Sequence, residues 1–152
     1  MRTLNRKSEK NNQKHFDPFL SSAKLLEIQD RLKKLKDISR LKAAQDVSRL
    51  AELGDFSENV EYQLAKGKLR RINAKILILE NQLKQARIIE KPKQSNFVEI
   101  GHKVVVEASG KQKIYQILGS TESNPDKGII SHISPIGTAL LGGKVGDKIK
   151  IK

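Results

Sequence analysis

The chain reads as an α+β protein, a long antiparallel α-helical coiled-coil hairpin followed by a small antiparallel β domain. Three observations predict it. Apolar residues recur at heptad spacing through most of residues 19–86, one short break interrupts that pattern at Gly54, and the texture switches to alternating β-type runs beyond Pro92.

The first helical run extends from about Phe19 to Leu53. Leu25, Ile28, Leu32 and Leu35 follow a 3-4-3 spacing, and Ile38, Leu41, Ala44, Val47 and Leu50 continue it in steps of three, a slip from a strict heptad. No Pro or Gly lies between Lys24 and Leu53, and Gly54 supplies the helix-ending residue. In the second run Tyr62, Ala65, Leu69, Ile72, Ile76, Leu79, Leu83 and Ala86 keep a regular 3-4 seam until Lys91-Pro92-Lys93 breaks it. Two such helices joined by a few residues must lie antiparallel. At a rise of about 1.5 Å per residue each arm reaches on the order of 50 Å.

Beyond Pro92 the runs Val98–Ile100, Lys103–Val106, Lys113–Leu118 and Lys148–Lys152 are β-rich, and all but two of the ten glycines lie past residue 100, where they punctuate strands. A short helical turn is expected near Thr138–Leu141. The organisation is a flexible basic tail at 1–15, the hairpin at 16–91 with its tip near 54–61, a linker at 92–96 and the β domain at 97–152. The tail is polar and without periodicity.

Composition narrows the function. With 30 basic and 17 acidic residues the formal charge is +13, which favours an anionic partner, nucleic acid first. Four Phe, two Tyr and no Trp are too few rings for a platform that stacks single strands. The absence of Cys excludes a disulfide framework and thiolate metal sites and fits a reducing compartment. No apolar run approaches the length of a membrane span, and the basic start is not followed by a secretory core, so a cytoplasmic protein without membrane contact is expected.

Charge placement points to a site. From Leu50 to Ala65 there is no Lys or Arg, and the stretch holds Glu52, Asp55, Glu58 and Glu61; basic residues resume with Lys66, Lys68, Arg70 and Arg71. A negative tip thus sits on a positive shaft. Two readings of Asp55 and Glu58 stand side by side. Asp55-Phe56-Ser57-Glu58 has the form of a capping box, with Ser57 an alternative N-cap, and acids suit a helix start. The same carboxylates repel one another unless compensated, and a hard divalent cation such as Mg²⁺ compensates them, weakly in isolation and better beside a metal held by another enzyme.

Gly54-Asp55-Phe56-Ser57-Glu58-Asn59-Val60-Glu61-Tyr62, followed by Ala65-Lys66, resembles the tip signature of the bacterial Gre transcript cleavage factors, of the GreA type. Ile117-Leu118-Gly119-Ser120, Gly128–Ser131, Ser134–Gly142 and Lys144–Asp147 resemble that family's FKBP-like β domain. The resemblance covers residues 19–152. It implies a transcription elongation factor that enters the secondary channel of RNA polymerase and stimulates hydrolysis of backtracked nascent RNA, with nonspecific DNA contact at most and acting as a monomer. It is no enzyme by itself, since it lends carboxylates to the polymerase's own centre. Carried over, Asp55 and Glu58 match the acidic pair that shares Mg²⁺ with the polymerase. Asn59, Glu61 and Tyr62 match tip-shaping positions, Lys66 matches a basic position facing the transcript, and Arg70 is counted with it. Ser134, Pro135 and Ile136 are offered as a polymerase-docking surface, although their sequence is also that of a simple turn.

Two departures stand out. Ala51 occupies a position where the family often has Arg, and the β domain ends at Lys152, before the further hairpin usual in the family, which leaves an exposed sheet edge as the expectation. They keep two rivals in view, a channel-binding regulator without cleavage activity and a coiled-coil or FKBP-like chaperone. His15, His102 and His132 lack metal-ligand spacing and are read as surface or locally bonded residues. Ser131 and Ser134 form no nucleophile elbow.

Overall fold

The computed structural model describes residues 16–54 and 59–151; the basic tail, Asp55–Glu58 and Lys152 lie outside the described residues. The hairpin forms as expected. Its first arm comprises α1 (Ser22–Lys34), a π-turn (Leu35–Ser39) and α2 (Arg40–Ala51), and its second arm is α3 (Val60–Gln85). Ser21 caps α1, its side chain accepting from the Lys24 N–H at 3.2 Å. The 26 residues of α3 span about 39 Å at the ordinary helical rise, shorter than the expected arm.

The slip in the first arm has a structural answer. A strict heptad continued through Ile28, Leu32 and Leu35 would put Lys42 and Arg49 in the seam. The π-turn, in which the Arg40 N–H donates to the Leu35 carbonyl five residues back, absorbs one extra residue and turns Ala43 and Leu50 inward instead. Ala43 is 1% exposed and packs with Ile72 and Ile76, flanked by Leu32, Leu35 and Leu69. The expected steps of three are therefore corrected: Ile38 and Leu41 are 63% and 56% exposed. The seam of α3 lies where its spacing put it, because no insertion interrupts it. Lys36 in the π-turn pairs with Glu80 of α3, bracing the irregular turn against the opposite arm.

At the base of the hairpin, β1 (Phe19–Leu20) and β2 (Arg87–Ile88) pair in parallel, so the first residues of the expected helix are extended instead. The Arg87 N–H donates to the Pro18 carbonyl at 2.7 Å and the Ile89 N–H to the Leu20 carbonyl at 2.8 Å.

The β domain holds β3 (Lys103–Ala108), β4 (Lys111–Leu118) and β5 (Ile129–Ser131), followed by α4 (Pro135–Leu140). Strand order is β3-β4-β5. β3 and β4 form an antiparallel hairpin whose two loop residues, Ser109 and Gly110, both have positive φ (53° and 73°), as a type I′ turn requires. β4 and β5 pair in parallel, so the sheet is mixed rather than purely antiparallel. Ile117, Leu118 and Leu140 are buried there. Val98–Ile100 and Lys148–Ile151, expected as strands, form none among the described residues. Val98 instead exchanges two backbone hydrogen bonds of 2.9 Å with the Gly142–Gly143 corner, an interaction of turns that alternation cannot foresee. The expected helical turn near Thr138 is α4, starting three residues earlier at Pro135, with Ser134 as its cap.

Candidate functional site: the acidic hairpin tip

The tip is built from its neck outward. α2 ends at Ala51, and Gly54 takes φ 127°, a conformation that side chains rarely adopt. On the far side α3 begins at Val60, and its N-cap is Asn59, whose side-chain oxygen accepts from the Tyr62 N–H at 3.1 Å. The Asn59 amide nitrogen reaches back to donate to the Leu50 carbonyl at 3.5 Å. One side chain therefore ties the start of the second arm to the end of the first. The N-cap of α3 is Asn59.

Asp55 and Glu58 themselves lie outside the described residues. Glu52 and Glu61 are exposed, and Glu61 stands in the first turn of α3, where the helix dipole favours an acid. Tyr62 is half-buried, and Lys66 one turn on sets its ammonium 5.2 Å from the Tyr62 ring centroid, a cation–π contact that holds the first shaft cation toward the tip. Arg70 is exposed one turn further. Arg49 stands 3.8 Å from Asp46 on its own helix, an exposed pairing of small energetic weight. Among the described residues no group of three or more His, Asp or Glu could hold a metal ion by itself.

Ser134, Pro135 and Ile136 lie far along the chain, on the β domain. Ser134 Oγ donates to the Ser131 carbonyl at 2.7 Å and accepts from the Gly137 N–H at 3.0 Å. With Pro135 and Ile136 it lines one side of an open groove of about 780 Å³, whose other side is Lys113, Ile114 and Tyr115 of β4. Phe97 lies elsewhere, with the Lys144 ammonium 5.0 Å from its ring centroid, so the two β-domain aromatics form no common pocket.

A model of the N-terminal domain of transcription elongation factors matches residues 19–88, and a model of the GreA/GreB C-terminal domain matches residues 93–152. The chain belongs to the GreA/GreB family of transcription elongation factors. Transcription elongation factor GreA of Acetivibrio thermocellus is 39% identical over 130 residues, which is 84% of this chain and 82% of that protein. The GreA of Borreliella burgdorferi is 40% identical over 124 residues, 80% of this chain, but the match spans only 14% of that longer protein. The crystal structure of GreA factor homolog 1 of Thermus thermophilus superposes with a TM-score of 0.44 at 29% identity, covering 87% of each chain.

His132, read from the sequence as a surface or locally bonded residue, instead bonds Asp17 at 2.7 Å across 115 positions of sequence. No spacing signal could have paired them. His102 is local as expected, with Nδ1 accepting from the Glu99 N–H at 2.9 Å and Nε2 at 3.2 Å from the Lys93 carbonyl. His15 lies outside the described residues. No helix among the described residues is long and apolar enough to cross a membrane.

Proposed function

We propose that this GreA/GreB-family chain inserts its hairpin tip into the secondary channel of RNA polymerase in the cytoplasm, and that Asp55 and Glu58 stimulate hydrolysis of backtracked nascent RNA. The observation that carries the proposal is the neck. Asn59 caps α3 and donates to the Leu50 carbonyl, so the two helix ends that flank positions 55–58 in the sequence are tied to one another. Across that whole region, Leu50 to Ala65, no Lys or Arg is present to neutralise Asp55 and Glu58.

The donor set suits Mg²⁺: two carboxylates offer hard anionic oxygens, few enough that the ion keeps most of its waters. Bound beside the polymerase's own metal, Mg²⁺ supplies charge stabilisation and a more acidic attacking water. The chain's residues do the rest. Asp55 and Glu58 would hold the ion, and the Asn59 neck would fix their approach. Lys66, steadied over Tyr62, and Arg70 attract the phosphates of the displaced RNA. Ser134, Pro135 and Ile136 border the groove by which the β domain rests on the channel rim. Because the pair completes a centre held by another protein, the chain turns over no substrate alone.

The test is a backtracked elongation complex with 5′-labelled RNA and Mg²⁺, followed for transcript shortening. Wild type is expected to accelerate cleavage, and the Asp55→Ala/Glu58→Ala protein to bind without accelerating it. Ala51, standing where the family often has Arg, favours one second reading, a channel regulator that does not promote cleavage. Binding by wild type with no cleavage would establish that reading instead, and absence of binding would overturn the polymerase assignment.

A further inference from the structure

The root of the hairpin and the β domain meet at Asp17. Its carboxylate is 6% exposed and is fully engaged. Oδ1 accepts from the Phe19 N–H at 3.1 Å, which bends the segment back on itself. Oδ2 accepts three donors from the β domain: the Ser120 N–H at 2.8 Å, the Ser120 hydroxyl at 2.9 Å and His132 Nε2 at 2.7 Å. With the Ser120 hydroxyl committed to Asp17, the Ser131 hydroxyl donates in turn to Ser120 Oγ at 2.8 Å. Ser131 is buried and ends β5, and Ser120 follows β4, so the chain of bonds runs from the hairpin root into the sheet itself. Two residues on, the Ser21 N–H donates to Glu122 at 2.9 Å, and the Ser21 hydroxyl bonds the other oxygen of the same carboxylate. Ser21 is also the N-cap of α1, so the contact is applied at the first residue of the shaft.

Packing closes the same joint. The Phe19 ring stands edge-on to His132 at 5.1 Å, and the Phe19 carbonyl lies so near Gly119 that a Cβ there would come within 2.0 Å of it. Leu20, between these contacts, has no exposed surface. A linker that only tethered the two parts would need none of this. Charge-assisted bonds at a buried carboxylate are among the stronger and more directional contacts available.

We propose that Asp17 is the hub of an interdomain clasp, closed by Ser120 and His132, that fixes the direction in which the hairpin leaves the β domain. The consequence rests on the channel-insertion reading. A factor that must seat its β domain and its tip together binds best when the angle between them is set beforehand, since orientation frozen in the free protein is not lost on binding. Asp17 and His132 are then positioning residues, remote from the reacting atoms.

The absence of cysteine makes the test direct. Ala74→Cys on α3 and Lys111→Cys at the start of β4, both exposed, take spin labels for a distance measurement on the free full-length protein. The unmodified clasp is expected to give one narrow distance distribution. His132→Ala and Asp17→Ala are expected to broaden it while circular dichroism shows both parts folded. His132→Gln, whose amide nitrogen stands near the position of Nε2 and keeps an N–H donor there, is expected to restore much of the narrowness. Narrow distributions in all variants would overturn the clasp whatever the protein does at polymerase. In the cleavage assay, His132→Ala is expected to raise the half-saturating concentration on the order of 10-fold at an unchanged saturated rate. A lowered saturated rate with unchanged half-saturation would overturn the positioning role.

Discussion

At the neck of the hairpin, Asn59 accepts from the Tyr62 N–H and donates to the Leu50 carbonyl. Asn59→Ala removes both bonds and is expected to destabilise the hairpin by about 1–2 kcal/mol, as loss of an N-cap does. Asn59→Asp keeps the acceptor and loses only the donor, so its loss in a urea titration followed by circular dichroism should be smaller. Asp17 gives a second residue-scale expectation. Burial pushes its carboxyl pKa up, but the Ser120 and Phe19 N–H groups, the Ser120 hydroxyl and His132 together outweigh burial and hold it below its ordinary value. The unfolded chain therefore takes up this proton first as pH falls. Stability contributed by Asp17 is fully present above the ordinary carboxylate range and is lost as pH drops through that range to the lower folded value. Asp17→Asn should be less stable than wild type near neutral pH and show a shallower loss on acidification, read from thermal unfolding at a series of pH values.

At the scale of elements, the π-turn and α3 make contrasting predictions. Deleting Ile38, exposed within the π-turn, removes the extra residue and lets an uninterrupted α-helix bring Ala43, Val47 and Leu50 to the same seam. Stability should be kept or improved. Deleting Ala74 of α3, also exposed, turns Ile76, Leu79 and Leu83 away from the seam by about 100° and should cost several kcal/mol, comparable to the roughly 2–5 kcal/mol of truncating a buried Ile. Paired denaturant titrations separate the two, and equal losses would show that the π-turn does not set the register. The spacing of α3 was legible because one unbroken period governs it. In the first arm the sequence carried the symptom, apolar steps of three after Leu35, while the remedy depended on the opposing helix against which Ala43 had to pack.

For the whole molecule, the joint between hairpin and sheet is the feature to perturb. Gly119→Ala would drive a methyl group into the Phe19 carbonyl, and overpacking of this kind costs about 1–3 kcal/mol. The expected outcome is a lower unfolding temperature together with the broadened interdomain distance of the His132 variant. A variant as stable as wild type would mean that β1 can move off Gly119 without loss. Long-range electrostatics also belong to this scale. The chain carries +13 overall, yet the stretch from Leu50 to Ala65 between the two arms has no Lys or Arg, so its approach to a polyanion is oriented by salt-sensitive forces.

By itself the sequence determined the two helical arms, their antiparallel return, the acid-only tip and the switch to β structure, because each is written in local period, local punctuation or local charge. Tertiary structure decided what depends on a distant neighbour. It made Asn59 the cap, since its second partner, Leu50, lies on the other arm. It set β5 parallel to β4, a pairing made through an intervening loop. It joined Asp17 to His132 across the entire hairpin. A carboxylate and an imidazole separated by 115 positions carry no shared pattern, and only the fold that brings them together, half-buried, makes each the partner the other requires.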